Sequence, residues 1–291
     1  MMFASLLALL LLLTALANCE FSDDFRQYLI RTVGQKQMSD LERLDMGPMG
    51  MGSFGGKQTA NEPLTNRPVV MIHGTTLRAG VFLEHRRFFI NNGYNPGELY
   101  ATTYSDGGLS PLFSKKMECA DVKQVRNMIL AVSAYTNSTV DVLAYSMGAA
   151  LSRKAILGGN CVDTAENIGA PIGHLVDTYL AVGGVCYGYE SCAINEKIWP
   201  ACNPVNGMVY RSRFLRDVNQ PDQKYEGRNT YAIYSKDDNV VGYECAGNPC
   251  SELKNSNVTV PKRGYDHLGI LTLTKELQYS ILKYKITTGF F

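Results

Sequence analysis

Apolar residues occur in two rhythms along this chain. Residues 68–73 (PVVMIH) form an unbroken apolar run, the pattern of a strand buried on both faces. Residues 99–104, 179–185, 230–235 and 258–260 repeat that pattern. The segments between them have helical spacing. Residues 79–92 carry Phe82, Leu83, Phe88, Phe89 and Ile90, and Gly93 closes them. Residues 119–135 carry Val122, Val125, Met128, Ile129 and Val132 on one face. Residues 271–284 predict a last helix. Strands alternating with helices imply an α/β fold, a mostly parallel central sheet with helices on both faces. Residues 20–66 read as an N-terminal arm: a polar, partly helical lead-in, then a Gly- and Met-rich loop, MGPMGMGSFGG, at 46–56. No strand is expected before residue 68, so the sheet starts late. Residues 67–291 then form one domain, interrupted by an irregular cysteine-containing insertion at about 186–218 that holds the single tryptophan, Trp199.

The densest signal is TVDVLAYSMGAALSRKAILGG at 139–159. Its first half is strand-like and its second half helix-like, with Gly158 and Gly159 as the stop. Ser146 sits at the junction, between Ala144-Tyr145 and Met147-Gly148. Small residues on either side let a backbone turn sharply from strand to helix, the geometry of a nucleophile elbow. The same motif also fits an ordinary helix start, so the flanking strands decide.

In a parallel sheet, functional residues lie just past the C-terminal ends of strands. Those positions hold His73-Gly74-Thr75, Ser146, Lys236-Asp237-Asp238-Asn239-Val240-Val241, and Gly264-Tyr265-Asp266-His267. The order nucleophile, acid, histidine is that of an α/β-hydrolase. A serine hydroxyl needs a base, a histidine can serve near neutral pH, and a carboxylate orients the imidazole. Among the four histidines, His267 fits the base. His73 reads as architectural, His85 as a surface residue of a basic helix, and His174 precedes every good acid. Asp238 and Asp237 compete as the acid. Asp238 is favoured because the apolar pair Val240-Val241, two residues later, anchors its loop; Asp163 and Asp177 are fallbacks. The oxyanion donors would be the backbone N–H groups of Met147 and Thr75. This chemistry calls for no metal or cofactor.

Composition adds limits. The chain has 291 residues, 45% of them hydrophobic, enough for one sizeable domain. A net charge of +1 suggests no nucleic-acid partner. Residues 1–19 read as a secretory signal peptide around the apolar run 3–17, cleaved after Ala17 or Cys19, although its start has no Lys or Arg. No other stretch is long and apolar enough to span a bilayer, so a secreted, extracellular protein is expected. Eight cysteines without CxxC or zinc-type spacing then read as disulfides. Cys245 pairs with Cys250 and Cys119 with Cys161, while the pairing among Cys186, Cys192 and Cys202 stays open. Loss of Cys19 leaves one of the remaining seven free. Asn137 and Asn257 head glycosylation sequons.

With PVVMIHGT at 68–75, VDVLAYSMGAALSRKAI at 140–156, IYSKDDNVVG at 233–242 and YDHLGIL at 265–271, the chain resembles the class 2 lipases. The resemblance runs from about residue 66 to the end. It implies an α/β-hydrolase fold with a reduced sheet lacking the first strands of larger relatives. It also implies hydrolysis of acyl esters of lipids, with Ser146, Asp238 and His267 as the triad and Thr75 and Met147 as oxyanion donors. The insertion at 186–218 departs from the smallest bacterial members and is similar to the secreted animal branch. Alternatives on the same triad are a phospholipase or an acyltransferase. A non-catalytic lipid-binding protein on this fold is a third.

Overall fold

The structure is a computed structural model that describes residues 20–59 and 61–289. The expected signal peptide, including Cys19, lies outside the described residues. The chain opens with helices α1 (Asp23–Val33) and α2 (Gln35–Glu42), followed by strands β1 (Ser53–Phe54) and β2 (Val69–Ile72). Next come α3 (Leu83–Asn91), β3 (Leu99–Thr102), α4 (Cys119–Thr136), β4 (Val140–Tyr145), α5 (Met147–Leu157) and β5 (Val176–Val182). A short helix α6 (Cys192–Asn195) and α7 (Arg213–Asn219) precede β6 (Asn229–Ser235). A small hairpin, β7 (Glu244–Cys245) and β8 (Asn248–Pro249), leads to β9 (Val258–Lys262), α8 (His267–Thr272) and α9 (Lys275–Tyr284).

Among the described residues seven strands form the main sheet, in the order β1-β3-β2-β4-β5-β6-β9. All neighbours are parallel except β1, which runs antiparallel to β3. The unbroken apolar runs follow from this arrangement. Successive side chains point to opposite faces, and both faces are covered. In β2, Val70 and Ile72 enter the core on one face, and Val69 and Met71 the core on the other. In β4, Val142 and Ala144 join the first core, Leu143 and Tyr145 the second. The first core is closed by α1, α4 and α5, through residues such as Phe25, Val125 and Leu151. The second is closed by α3, α8 and α9, through Phe89, Ile270 and Ile281.

The structure differs from the sequence reading at the edges. The Gly- and Met-rich stretch expected as loop contains β1, paired as Ser53↔Thr102 and Phe54↔Ala101. A two-residue edge strand needs backbone partners and no apolar run, and so leaves no periodic trace. The lead-in packs tightly, with Phe21, Phe25, Leu29, Met38 and Leu41 buried in the first core. The last helix is two helices, α8 and α9, with the break at Leu273-Thr274. Helix α8 starts because the Asp266 side chain accepts from the Gly269 N–H at 2.6 Å, an N-cap.

Among the described residues three disulfides are present: Cys119–Cys161, Cys192–Cys202 and Cys245–Cys250. The second resolves the pairing left open in the insertion. Cys186 is the free cysteine among the described residues and is buried. Burial pushes its thiol up to about 12, so it stays protonated and unreactive. Asn137 and Asn257 are both exposed. No described helix is long and apolar enough to cross a membrane.

One charge pair inside the domain fixes α5. The Arg153 Nε–H donates to Glu226 Oε1 at 2.8 Å, and both side chains are 1% exposed. The same guanidinium donates to Asn219 Oδ1 and to the Val218 carbonyl, tying α5 to α7. Glu226→Ala leaves that cation buried without its counter-charge. It should lower the urea-unfolding free energy by about 3–5 kcal/mol. The double replacement Arg153→Met/Glu226→Leu should recover most of the loss.

Candidate active site

The site begins with the backbone of one residue. Ser146 lies between β4 and α5 at φ 55° and ψ −130°, a region non-glycine residues rarely occupy. Its N–H donates to the Val182 carbonyl at 3.1 Å, and its carbonyl accepts from Ala149 N–H and Val185 N–H, each at 3.0 Å. Both backbone groups are therefore held by neighbouring chain. Close packing demands the small flanks. A Cβ on Gly148 would lie 2.3 Å from the His73 carbonyl oxygen, and a Cβ on Gly74 would lie 2.6 Å from Ser146 Cβ. The loop after β2 thus presses directly on the serine.

The loops after β6 and β9 bring in the other two side chains. Ser146 Oγ is 2.9 Å from His267 Nε2, and His267 Nδ1 is 2.7 Å from Asp238 Oδ2. Asp238 Oδ1 accepts from the Val240 and Val241 N–H groups, each at 2.9 Å. With the carboxyl accepting at both oxygens, Nδ1 carries the hydrogen, and Nε2 is left to accept from the serine. All three side chains are buried.

Neighbours fix the imidazole. The Tyr145 ring stacks on it with centroids 4.9 Å apart, and the Tyr145 hydroxyl donates to the His267 carbonyl at 2.8 Å. The His267 N–H donates to Asn239 Oδ1 at 3.1 Å. Gly183, at φ 50°, lies beside the His267–Asp238 bond; a Cβ there would be 3.5 Å from Nδ1. Sequence reading assigned no part to Tyr145, Asn239 or Gly183. The only trace of Gly183 was the Gly-Gly pair that follows β5.

The other candidates lie elsewhere. Asp237 is exposed, and its Oδ2 accepts from Gly264 N–H at 2.6 Å. His174 is exposed, beside the N-terminal end of β5 and so at the opposite edge of the sheet. Asp177, within β5 near the same edge, pairs with Arg67 at 2.9 Å. Asp163 accepts from the Cys119 N–H at the start of α4. His73 is stacked on Tyr104 at 4.0 Å. Its Nε2 accepts from Tyr104 N–H, which leaves Nδ1–H to donate to the Gly74 carbonyl at 2.8 Å. Burial lowers His73 to about 4, so it is neutral and braces the loop that carries Thr75. His85 is a correction. It is buried, not at the surface, with Nε2 3.2 Å from the Leu271 carbonyl, and desolvation lowers it to about 4. Its helix turns this position inward against Phe82 and α8.

Thr75 and Met147 meet across the elbow. The Thr75 hydroxyl donates to Met147 Sδ at 3.3 Å. Met147 is the first residue of α5, so its N–H has no intrahelical acceptor.

A mostly parallel sheet with a serine on a strained strand-to-helix turn defines an α/β-hydrolase. A family model described as Lipase (class 2) matches residues 66–280. The chain belongs to the class 2 lipase family and is a carboxylic ester hydrolase. No curated protein matches it. Among solved structures it is similar to the mature form of Bacillus licheniformis lipase BlEst2, at 15% identity and a TM-score of 0.55, over 79% of this chain and 98% of that one. Aspergillus fumigatus lipase B is similar at 19% identity and a TM-score of 0.53, over 75% of this chain and 52% of that one. A truncated carbohydrate esterase from gut microbiota has 14% identity and a TM-score of 0.51, over 76% and 84%. At these identities the likeness carries the fold.

Crowding at the elbow makes a prediction. Gly74→Ala must displace either Ser146 or its own loop, and should cut kcat on p-nitrophenyl butyrate by at least about tenfold. Gly159→Ala, at φ 72° with nothing within 4 Å of the new Cβ, should cost about 1 kcal/mol of stability and leave kcat unchanged.

Proposed function

We propose that the protein is a secreted lipase or carboxylesterase that cleaves acyl esters of lipids through Ser146, Asp238 and His267. The observation that carries this reading is the position of His267, whose two ring nitrogens reach Ser146 Oγ and Asp238 Oδ2 at 2.9 and 2.7 Å. In the first half-reaction Ser146 Oγ attacks the ester carbonyl carbon and its proton passes to His267 Nε2. The carbonyl π pair moves onto oxygen, where the Met147 and Thr75 N–H groups receive it. Collapse of the tetrahedral adduct expels the alcohol, which takes the proton back from His267. Water then repeats the sequence on the acyl-enzyme and releases the carboxylic acid. Asp238 stays ionised throughout and stabilises the imidazolium.

A lipid substrate is supported by the family and by the surroundings of the acid loop. A cavity of about 500 Å³ adjoins Asp238, with Leu112, Phe113, Trp199 and Val240 in its wall. The Phe113 and Trp199 rings stack on each other at 3.8 Å in its lining, an apolar wall suited to an acyl chain. Secretion is supported by the three disulfides, which persist in oxidising compartments.

Ser146→Ala should abolish p-nitrophenyl-ester turnover with the thermal midpoint unchanged; undiminished turnover sinks this function. Asp238→Asn should lower kcat by about 10³- to 10⁴-fold through the wrong imidazole tautomer. Asp237→Asn should stay within severalfold of the parent enzyme. Comparable losses in the two variants would remove Asp238 from its role. A panel of triacylglycerols, phospholipids and acyl acceptors should show net hydrolysis of neutral esters, ahead of phospholipid cleavage or acyl transfer.

A further inference from the structure

The insertion at 186–218 brings one polar side chain into the catalytic centre. Tyr189 is 2% exposed, and its hydroxyl lies 3.5 Å from Thr75 Oγ1, on the residue that faces Met147 across the elbow. We propose that Tyr189 is a catalytic residue, a side-chain donor that joins the Thr75 and Met147 N–H groups in stabilising the oxyanion. The inference rests on the esterase mechanism given above.

Three observations carry it. The first is the direction of the hydrogen bonds. Thr75 Oγ1 has Met147 Sδ, which can only accept, at 3.3 Å, so its lone pairs are open to the Tyr189 O–H at 3.5 Å. A neutral hydroxyl oxygen is a weak acceptor beside a developing alkoxide. As charge forms, the Tyr189 O–H has a better acceptor within reach and turns to it. The bond strengthens in the transition state and not in the ground state, which is the condition for raising kcat.

The second is rigidity. The Tyr189 N–H donates to the Met208 carbonyl at 2.8 Å, and its carbonyl accepts from Cys192 N–H at 3.0 Å, beside the 192–202 disulfide. Glu190 is bound at both backbone and side chain: its N–H donates to the Val241 carbonyl at 2.9 Å, and its Oε2 accepts from Tyr243 N–H at 2.8 Å. Gly188, at φ 126°, lets the chain pass under Met208, whose carbonyl oxygen would lie 2.6 Å from a Cβ. The hydroxyl is therefore held in advance of reaction, as electrostatic stabilisation requires.

The third is protonation. Burial raises the Tyr189 phenol above its ordinary value, so it keeps its hydrogen at any working pH.

Tyr189→Phe removes one oxygen and keeps the ring. It should lower kcat/KM for p-nitrophenyl butyrate about 10- to 100-fold, with KM changed less than about threefold. An alkyl boronic acid, whose adduct on Ser146 is tetrahedral, should lose affinity by the same factor as kcat/KM; a purely structural role would not link the two. 4-Aminophenylalanine at position 189 restores a donor and should return kcat/KM to within about fivefold of the parent. An unchanged or raised kcat/KM in folded Y189F overturns the proposal. So does a 4-aminophenylalanine enzyme as slow as Y189F, or slow beside a parent-like boronate affinity. Ser146→Ala, run alongside, separates the two levels. Turnover surviving in that variant sinks the triad itself, whereas turnover lost there and kept in Y189F sinks only the tyrosine.

Discussion

The backbone of Ser146 is the constraint to which the rest of the site conforms. A serine at φ 55° is strained by about 1–3 kcal/mol and persists only where its surroundings over-determine it. Here they do. Val182 takes its N–H, Ala149 and Val185 take its carbonyl, and the flanking positions 74 and 148 have no room for a methyl group. The strain lifts the side chain clear of the helix it would otherwise cap. Ser146 makes no side-chain cap to α5. Its hydroxyl is free of the local backbone and turns instead to His267.

The same loops that aim the histidine also hold the insertion. The Cys250 carbonyl, next to the hairpin disulfide, accepts from both Cys186 and Tyr187 N–H groups at 3.1 and 2.8 Å. The Val241 N–H serves Asp238, while the Val241 carbonyl serves Glu190. One short stretch of backbone therefore sets the acid on one side and the insertion on the other. Motion of the insertion at this point would disturb Asp238 directly. That coupling favours a fixed wall with a reacting group on it.

Much of this architecture was legible in the sequence, for physical reasons that also mark where legibility stops. Strands buried on both faces write long apolar runs, so β2, β4, β5 and β6 stood out. The strand–turn–helix around Ser146 writes its own requirement for small residues. Local hydrogen-bond patterns do not write themselves. Nothing periodic marks β1, whose two residues are held by β3 alone. His85 sits in a run of charged residues, and its burial is decided by α8 packing from nearly two hundred residues away. Asp237 and Asp238 are adjacent and chemically identical. What separates them is the loop: one accepts two N–H groups from its own turn and faces the histidine, and the other faces out. Tyr189 could not have been found this way, because it lies in an irregular stretch and its partner Thr75 is 114 positions earlier.

The two ends of the sheet show why polarity of the strands, and not the supply of acids, selects the centre. At the N-terminal ends of β4 and β5 lie Asp141 and Asp177, both buried and thus plausible on chemistry alone. Burial raises Asp141 to about 7, the sort of perturbation that marks many active sites. Yet the cations there are Arg67 and Lys285, with Arg67 2.9 Å from Asp177 and Lys285 3.5 Å from it. These close the lower edge of the sheet by pairing with the acids they meet, and offer no nucleophile or base. At the C-terminal ends the strands stop in loops, and each loop can present a side chain without breaking the ladder. There the polar groups converge in sequence, Asp238 on His267 and His267 on Ser146, with the serine hydroxyl as the last donor of the chain. A linear relay ending on a hydroxyl is poised to act on a bound carbonyl; a closed cluster of opposite charges is not.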